Sequence, residues 1–431
     1  MVQRRAAARR ANPSRAAENA DWAFQAKDEA VLKALRSGRH ARSLREYFGT
    51  PAYAQLAVLA AAARRAKQPS GPKVLILPGI MGSKLGGDGR RGRSAEVLWM
   101  DPLQIAAGRL TSLTLPSGRA LRAVGVLLFS YARLKLQLRI DGRDAEFHSY
   151  DWRLGLDELG TQLASRIAAH GRPVILVAHS MGGLVARMAA RMLPKRLVRK
   201  LIMLGTPNEG SFASVQALRG SYPSVRKMAL LDPMHSADYL AEKVFSTFPG
   251  VYHMLPAPRR SAGIDLFDPR CWPADRSAPC GALLAQVTAV RAALAPADSR
   301  MIHIVGVNQD TVVGVRRTAA GFEYSIARNG DGTVPVALAK LPNLKSYYVE
   351  ELHSNLANNA QVIAAILDLL RRGRTGRLAD RWRVKRGPVR RIDDAQLRME
   401  GGDKIDWRRL TSAEREAALD ELDSARLVCR V

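Results

Sequence analysis

With 431 residues, 47% of them hydrophobic, the chain is long enough to bury a large core, and one large domain with extensions fits its length. Its formal charge of +28 suits anionic membranes, nucleic acid or acidic substrates as neighbours but identifies no reaction. Three cysteines leave little scope for a disulfide framework, no Cys/His set has zinc-ligand spacing, and no run reaches the roughly 18 apolar residues of a membrane span. A cytoplasmic or peripherally membrane-bound protein without a structural metal is expected.

In chain order, Met1 to Arg15 carry Arg4, Arg5, Arg9, Arg10 and Arg15 without the roughly 7–15-residue apolar run of a secretory leader, which reads as a solvated basic arm rather than a transit peptide. The Ala, Leu and Arg pattern from Asp21 to Lys67, interrupted at Gly49-Thr50-Pro51, predicts two helices. Turn residues Gln68 to Pro72 then precede Val74-Leu75-Ile76-Leu77 and Pro78-Gly79, a buried strand feeding a tight loop. A second strand ends near Phe147 to Arg153, and Leu156 to Ala169 has helical spacing. Pro173 to Ala178 is a short apolar β run before a helix at Leu184 to Leu193, and further strands are expected at Leu201 to Leu204, Met301 to Val307 and Ser346 to Val349. This alternation predicts an α/β fold, a mainly parallel sheet with helices on both faces.

Between Asn208 and Ser299 the alternation is lost among prolines, aromatics and methionines, as in Tyr252-His253-Met254-Leu255-Pro256. Such an insertion serves as a substrate cap or lid, or simply as packing. Within it, Cys271 and Cys280 would bridge a short loop only in an oxidising compartment. After Leu370 the chain turns basic, from Arg371 through Arg391, which predicts a solvated tail and admits contact with anionic lipid. Thr411 to Glu414 matches a capping box ahead of a terminal helix. The expected organisation is an N-terminal arm over residues 1–71, a catalytic domain over 72–370 with a cap insertion at 208–299, and a basic extension over 371–431.

The chemistry-bearing stretch is Val177-Ala178-His179-Ser180-Met181-Gly182-Gly183. A serine hydroxyl needs a base to take its proton and a strand-to-helix elbow to expose it, and small residues flank it there because the two backbones pass closely, hence G-x-S-x-G. Here Ala178 replaces the first glycine, and the β run before the motif and the helix after it supply the context. In this α/β-hydrolase pattern an acid and then a histidine follow the serine. His235 and His253 lie in the insertion and His303 inside an apolar strand, which leaves His353 as the base. For the acid, Asp331 in the Gly-flanked turn Asn329 to Pro335 is preferred, with Asp310 in reserve. The N–H groups of Met181 and of Ile80, in the Pro78-Gly79-Ile80-Met81-Gly82 loop, are the expected oxyanion donors.

Five motifs in this order, the Pro78-Gly79 loop, Tyr150-Asp151-Trp152-Arg153, the Ser180 elbow, Gly205-Thr206-Pro207-Asn208-Glu209-Gly210-Ser211, and Gly330 to Pro335 followed by His353, resemble the lecithin:cholesterol acyltransferase family, with its phospholipase and acyltransferase relatives. The resemblance spans roughly Pro72 to Leu370. It implies Ser180 as nucleophile, Asp331 as acid, His353 as base, Ile80 and Met181 as oxyanion donors, and Trp152 near the acyl site, although Trp152 reads equally as a core residue. It implies cleavage of lipid-type carboxylic esters through an acyl-enzyme, with transfer to water or an alcohol, and no cofactor. The partners expected are a hydrophobic ester and, through the basic arms, an anionic membrane surface, with no specific nucleic acid. The alternative is a catalytically idle hydrolase-fold protein that docks on anionic membrane.

Overall fold

The computed structural model describes residues 21–87, 96–118, 120–261, 263–275, 278–319, 321–385, 387–399, 403–411, 413–415 and 418. The basic stretch Met1 to Arg15 therefore lies outside the described residues.

The centre is a six-stranded sheet of β1 (Lys73–Leu77), β5 (Ala145–Phe147), β6 (Val174–His179), β7 (Val198–Leu204), β8 (Met301–Gly306) and β11 (Lys345–Val349), ordered β11-β8-β7-β6-β1-β5. Every pairing is parallel. Strands covered on both faces read as continuous apolar runs, and β6 and β8 are buried along their full length. From β1 the chain steps out to β5, then returns across β1 to β6 and onward to β7, β8 and β11. The strand order thus reverses between β1 and β6, and the crevice beyond the carboxyl ends of those strands is where an open α/β sheet binds its ligand. Leu77 of β1 stands beside Ala178 of β6, so the Pro78-Gly79 loop and the Ser180 elbow leave the sheet side by side. This is an α/β-hydrolase fold.

Two small antiparallel sheets, which the sequence pattern does not announce, flank the main one. β2 (Ser83–Gly87) pairs with β3 (Glu96–Trp99) and β4 (Leu121–Val126), and β10 (Gly321–Ala327) pairs with β9 (Thr311–Thr318) and β12 (Arg390–Asp393). The 21–67 segment forms four helices instead of the expected two: Trp22–Gln25, Asp28–Ser37, Ala41–Phe48 and Thr50–Arg65. The extra breaks fall at Ala26, which is extended, and at Gly38 and His40, both left-handed. Phe24, Val31, Leu44 and Tyr47 join the main core, and buried Lys84 of β2 donates to the carbonyls of Ala23 and Ala26, so these helices are built into the domain.

The 208–299 insertion is largely helical, with Phe212–Leu218, Pro223–Leu231, Ala237–Lys243, Pro249–His253 and Gly281–Ala292. Cys271 and Cys280 are both free thiols. The segment after Leu370 is not a free tail where it is described. β12 adds an edge to β10, Arg390 pairs with Asp310, Arg391 with Glu323 and Lys385 with Glu350. A basic composition concealed a strand whose charges are met across the sheet. Thr411 and Glu414 exchange the reciprocal bonds of a capping box, whereas Ser412 lies outside the described residues. Among the described residues no helix is long and apolar enough to cross a membrane.

Candidate active site

At the end of β6 the chain turns into the helix Met181–Met192 through Ser180, whose backbone sits at φ 53° and ψ −127°. A non-glycine residue held there is strained, and the surrounding packing must impose the conformation. Ser180 N–H donates to Leu204 O at 2.8 Å, and a side chain on any of three glycines would break the fit. A Cβ on Gly79 would lie 2.9 Å from Ser180 Cβ, one on Gly182 2.5 Å from Pro78 O, and one on Gly183 1.9 Å from Thr206 Oγ1. The first motif position, Ala178, is fully buried in β6, and its methyl group is accommodated.

Ser180 Oγ lies 2.8 Å from His353 Nε2, and His353 Nδ1 lies 2.8 Å from Asp331 Oδ2. A carboxylate accepts, so Nδ1 carries the proton, Nε2 is the acceptor, and the serine hydroxyl donates to it. Asp331 is buried, and its other oxygen accepts from Thr333 N–H at 3.0 Å and Val334 N–H at 2.7 Å, which fixes the carboxylate plane. His353 N–H donates to Asp331 O at 2.8 Å, so backbone and ring of the histidine register on the same residue. Gly205 opens the Gly205 to Ser211 motif because the Asp331–His353 pair occupies the space of its side chain. A Cβ there would lie 2.9 Å from Asp331 Oδ2 and 3.0 Å from His353 Nδ1. Asp310, the reserve acid, is paired with Arg390 at 2.6 Å, while the acid bonded to His353 is Asp331.

The Pro78 to Gly82 loop is pinned at both ends and at Met81. Tyr150 Oη donates to Pro78 O at 2.6 Å, Gly79 N–H to Tyr131 Oη at 2.9 Å, Trp99 Nε1 to Met81 O at 2.7 Å, and Leu127 N–H to Gly82 O at 2.9 Å. Gly82 N–H closes the turn onto Gly79 O at 3.0 Å, with Met81 at φ 62°. The N–H groups of Ile80 and Met181 have no acceptor among the described residues, and that of Met181 opens the Met181–Met192 helix at its electropositive end.

A cavity of about 160 Å³ opens over these groups. Gly79, Ile80, His179, Ser180 and His353 form one side, and Trp99, Leu127, Phe129, Ala217, Val225, Met228, Phe245, Val251 and Met254 supply an apolar lining. A larger cleft, about 520 Å³, lies at the amino ends of the strands, but its lining of Lys73, His170, Arg172, Arg199 and neighbours includes no serine, threonine or cysteine. Trp152 is not part of the cavity lining. It is fully buried, donates from Nε1 to Ser83 O at 3.1 Å, and packs edge-on against Trp99 and Phe248. The tryptophan at the cavity is Trp99.

His148, His179, His253 and His303 are buried, and desolvation pushes each well down from the usual histidine range: His179 to about 3, helped by the neighbouring His353, and the other three to about 4. They are neutral at pH 7. Sequence reasoning passed over Tyr131 and His179, whose hydrogen bonds join the Gly79 loop to the His353 loop. His179 stood inside the elbow motif, but nothing in the pattern around Tyr131 marked it.

A family model described as lecithin:cholesterol acyltransferase matches residues 143–363, a span that holds Ser180, Asp331 and His353 and begins after the Pro78 to Gly82 loop. No curated protein sequence matches the chain. Among solved structures it is similar to a chain of the Tle4-Tli4 complex, with 13% identity, a TM-score of 0.49, and coverage of 70% of this chain and 98% of that one. It is also similar to the Bacillus licheniformis lipase BlEst2 in its propeptide form, at 16% identity and TM-score 0.36 over 70% of this chain and 52% of that one. For the mature form of that lipase the values are 16% and 0.33 over 67% and 88%.

Proposed function

Because the chain belongs to the lecithin:cholesterol acyltransferase family, a family of lipid ester hydrolases and acyltransferases, we propose that it cleaves lipid-type carboxylic esters through an acyl-enzyme on Ser180. The observation that carries this reading is the Ser180–His353–Asp331 hydrogen-bond chain on one side of an apolar cavity. His353 Nε2 takes the Ser180 proton as Oγ attacks the ester carbonyl, and Asp331 keeps the imidazole in the reactive tautomer and stabilises the imidazolium. The oxyanion that develops is met by the free N–H groups of Ile80 and Met181. Collapse breaks the bond to the alcohol, which leaves with the proton from His353. A water or a second alcohol, deprotonated by His353, then releases the acyl group and regenerates Ser180.

The apolar lining favours a hydrocarbon acyl chain, since its burial contributes about 0.8 kcal/mol per methylene group. Hydrolysis is the default outcome, and transfer requires an alcohol to outcompete water at the acyl-enzyme. Turnover of a panel of phospholipids, triglycerides and short-chain esters, with the parent and Ser180→Ala side by side and a competing alcohol present, tests the proposal. Fatty acid or a new ester from the parent alone supports it. A well-folded parent that turns over nothing in the panel would favour the membrane-docking alternative.

A further inference from the structure

Two buried side chains, Tyr131 and His179, connect the parts of the site that must act together. Tyr131, on the helix Leu128–Ile140, accepts from Gly79 N–H at 2.9 Å and lies 2.9 Å from His179 Nδ1. His179, the residue before the nucleophile, has its Nε2 2.9 Å from the carbonyl oxygen of His353. The proton positions follow from these partners. A carbonyl can only accept, so His179 Nε2 carries a hydrogen. Burial and the adjacent His353 keep His179 neutral, so its Nδ1 is a lone-pair acceptor. Tyr131 must therefore donate its O–H to Nδ1, and its oxygen accepts from Gly79 N–H.

The result is a directed relay of three hydrogen bonds, Gly79 N–H to Tyr131, Tyr131 O–H to His179, His179 N–H to His353 O, each with one available polarity. It spans the loop that carries Ile80, the elbow that carries Ser180, and the loop that carries His353. His353 is thereby held at its backbone N–H by Asp331 O, at its carbonyl by His179, and at both ring nitrogens.

We propose that Tyr131 and His179 are positioning residues that hold the oxyanion loop and the base loop in register with Ser180, an inference that rests on the esterase reading above. Both also border the cavity, so replacements that keep a ring there while removing the hydrogen bonds would leave the nucleophile in place and loosen the geometry between the loops. Misplacement of this kind costs turnover more than affinity, by up to roughly 100-fold for a shift of about 1 Å.

The test measures the rate at which a fluorophosphonate probe phosphonylates Ser180, together with kcat and KM on a soluble ester, in the parent, Tyr131→Phe, His179→Phe, His179→Gln and the double Tyr131→Phe/His179→Phe variant. Tyr131→Phe is expected to slow phosphonylation and kcat by roughly 10–100-fold with KM nearly unchanged. His179→Gln, whose amide still offers one donor and one acceptor, is expected to recover a large part of what His179→Phe loses. The double variant is expected to be no slower than His179→Phe alone, because both changes break one relay. A parent that is not labelled overturns the esterase reading and this inference with it. A labelled parent, with Tyr131→Phe matching it within about twofold in both rates, overturns the positioning role alone. Should Tyr131→Phe fail to fold, equal rates for His179→Gln and His179→Phe overturn it instead.

Discussion

The two walls of the cavity are built by different means. The wall contributed by the sheet consists of the Pro78 to Gly82 loop, the Ser180 elbow, and the Asp331 and His353 loops, and hydrogen bonds of fixed polarity hold it. The facing wall, from the 208–299 insertion, offers Ala217, Val225, Met228, Phe245, Val251 and Met254 and is held by apolar packing. Its anchors lie behind it. Arg219 bridges Asp394 at 2.8 Å and Asp275 at 2.7 Å, and Lys404 Nζ donates to the carbonyls of Ala229, Asp232 and His235 at 2.6, 2.6 and 2.8 Å. The segment after residue 390 thus straps the insertion from outside. Apolar packing tolerates volume changes, whereas a hydrogen-bonded frame with one acceptor per donor does not. On the proposed function, a change in one wall should alter the molecule admitted without altering the chemistry assigned to the other.

Four changes probe this division, beginning with the largest. Asp331→Asn would spoil the His353 tautomer and is expected to lower kcat by roughly 10³–10⁴-fold while the thermal midpoint moves only a few degrees, as steady-state kinetics and melting curves would show. A fall under about tenfold would mean that the sheet wall is less exacting than the comparison holds.

Acid should act mainly on the sheet that carries this wall. His148, His179 and His303 belong to the sheet side and only His253 to the insertion, and each has a folded pKa pushed below its unfolded value of 6.5. The unfolded chain therefore binds more protons below that pH. The stability these groups contribute is complete above about 6.5 and is lost as pH falls toward 4, by up to about 1.4 kcal/mol per pH unit for each histidine. Asp101, raised by burial to about 6, opposes part of this because the folded state takes up its proton first. Urea midpoints measured at pH 7 and pH 5 should differ by several kcal/mol in stability, and equal midpoints would contradict the assignment.

Met228→Ala enlarges the insertion wall. It should cost about 2–4 kcal/mol of stability and shift preference toward longer or bulkier acyl chains, with short-ester turnover changed less than about threefold. A loss of turnover for every chain length would show the two walls to be coupled. The smallest effect is expected from Lys404→Met, which removes three charge-assisted bonds made by an exposed residue. About 1–2 kcal/mol should be lost, with faster proteolysis within residues 219–243 and an unchanged rate of Ser180 phosphonylation.

What the sequence disclosed follows the same division. Ser180 and Asp331 were legible because they sit in local patterns, an elbow and a glycine-flanked turn, whose backbone geometry demands particular residues, and His353 because chain order and position eliminated the other histidines after Ser180. β1 and β6 were legible as apolar runs, Val74 to Leu77 and Val174 to Ala178. Tyr131 and His179 were not, since their roles arise only when residues 48 positions apart meet. β2 was hidden by its two glycines and buried Lys84, and β12 by arginines that complete a charged edge rather than an apolar face. Trp152, whose motif left an acyl-site role and a core role equally open, donates to Ser83 O of β2 and does not line the cavity, while Trp99, outside any motif, borders it.

The most direct test of the central claim is to treat the intact protein with a fluorophosphonate and map the adduct by peptide mass spectrometry. One adduct is expected, on Ser180, absent from Ser180→Ala and slowed in Asp331→Asn. No adduct on the folded protein, or an adduct on another residue that persists in Ser180→Ala, would contradict it.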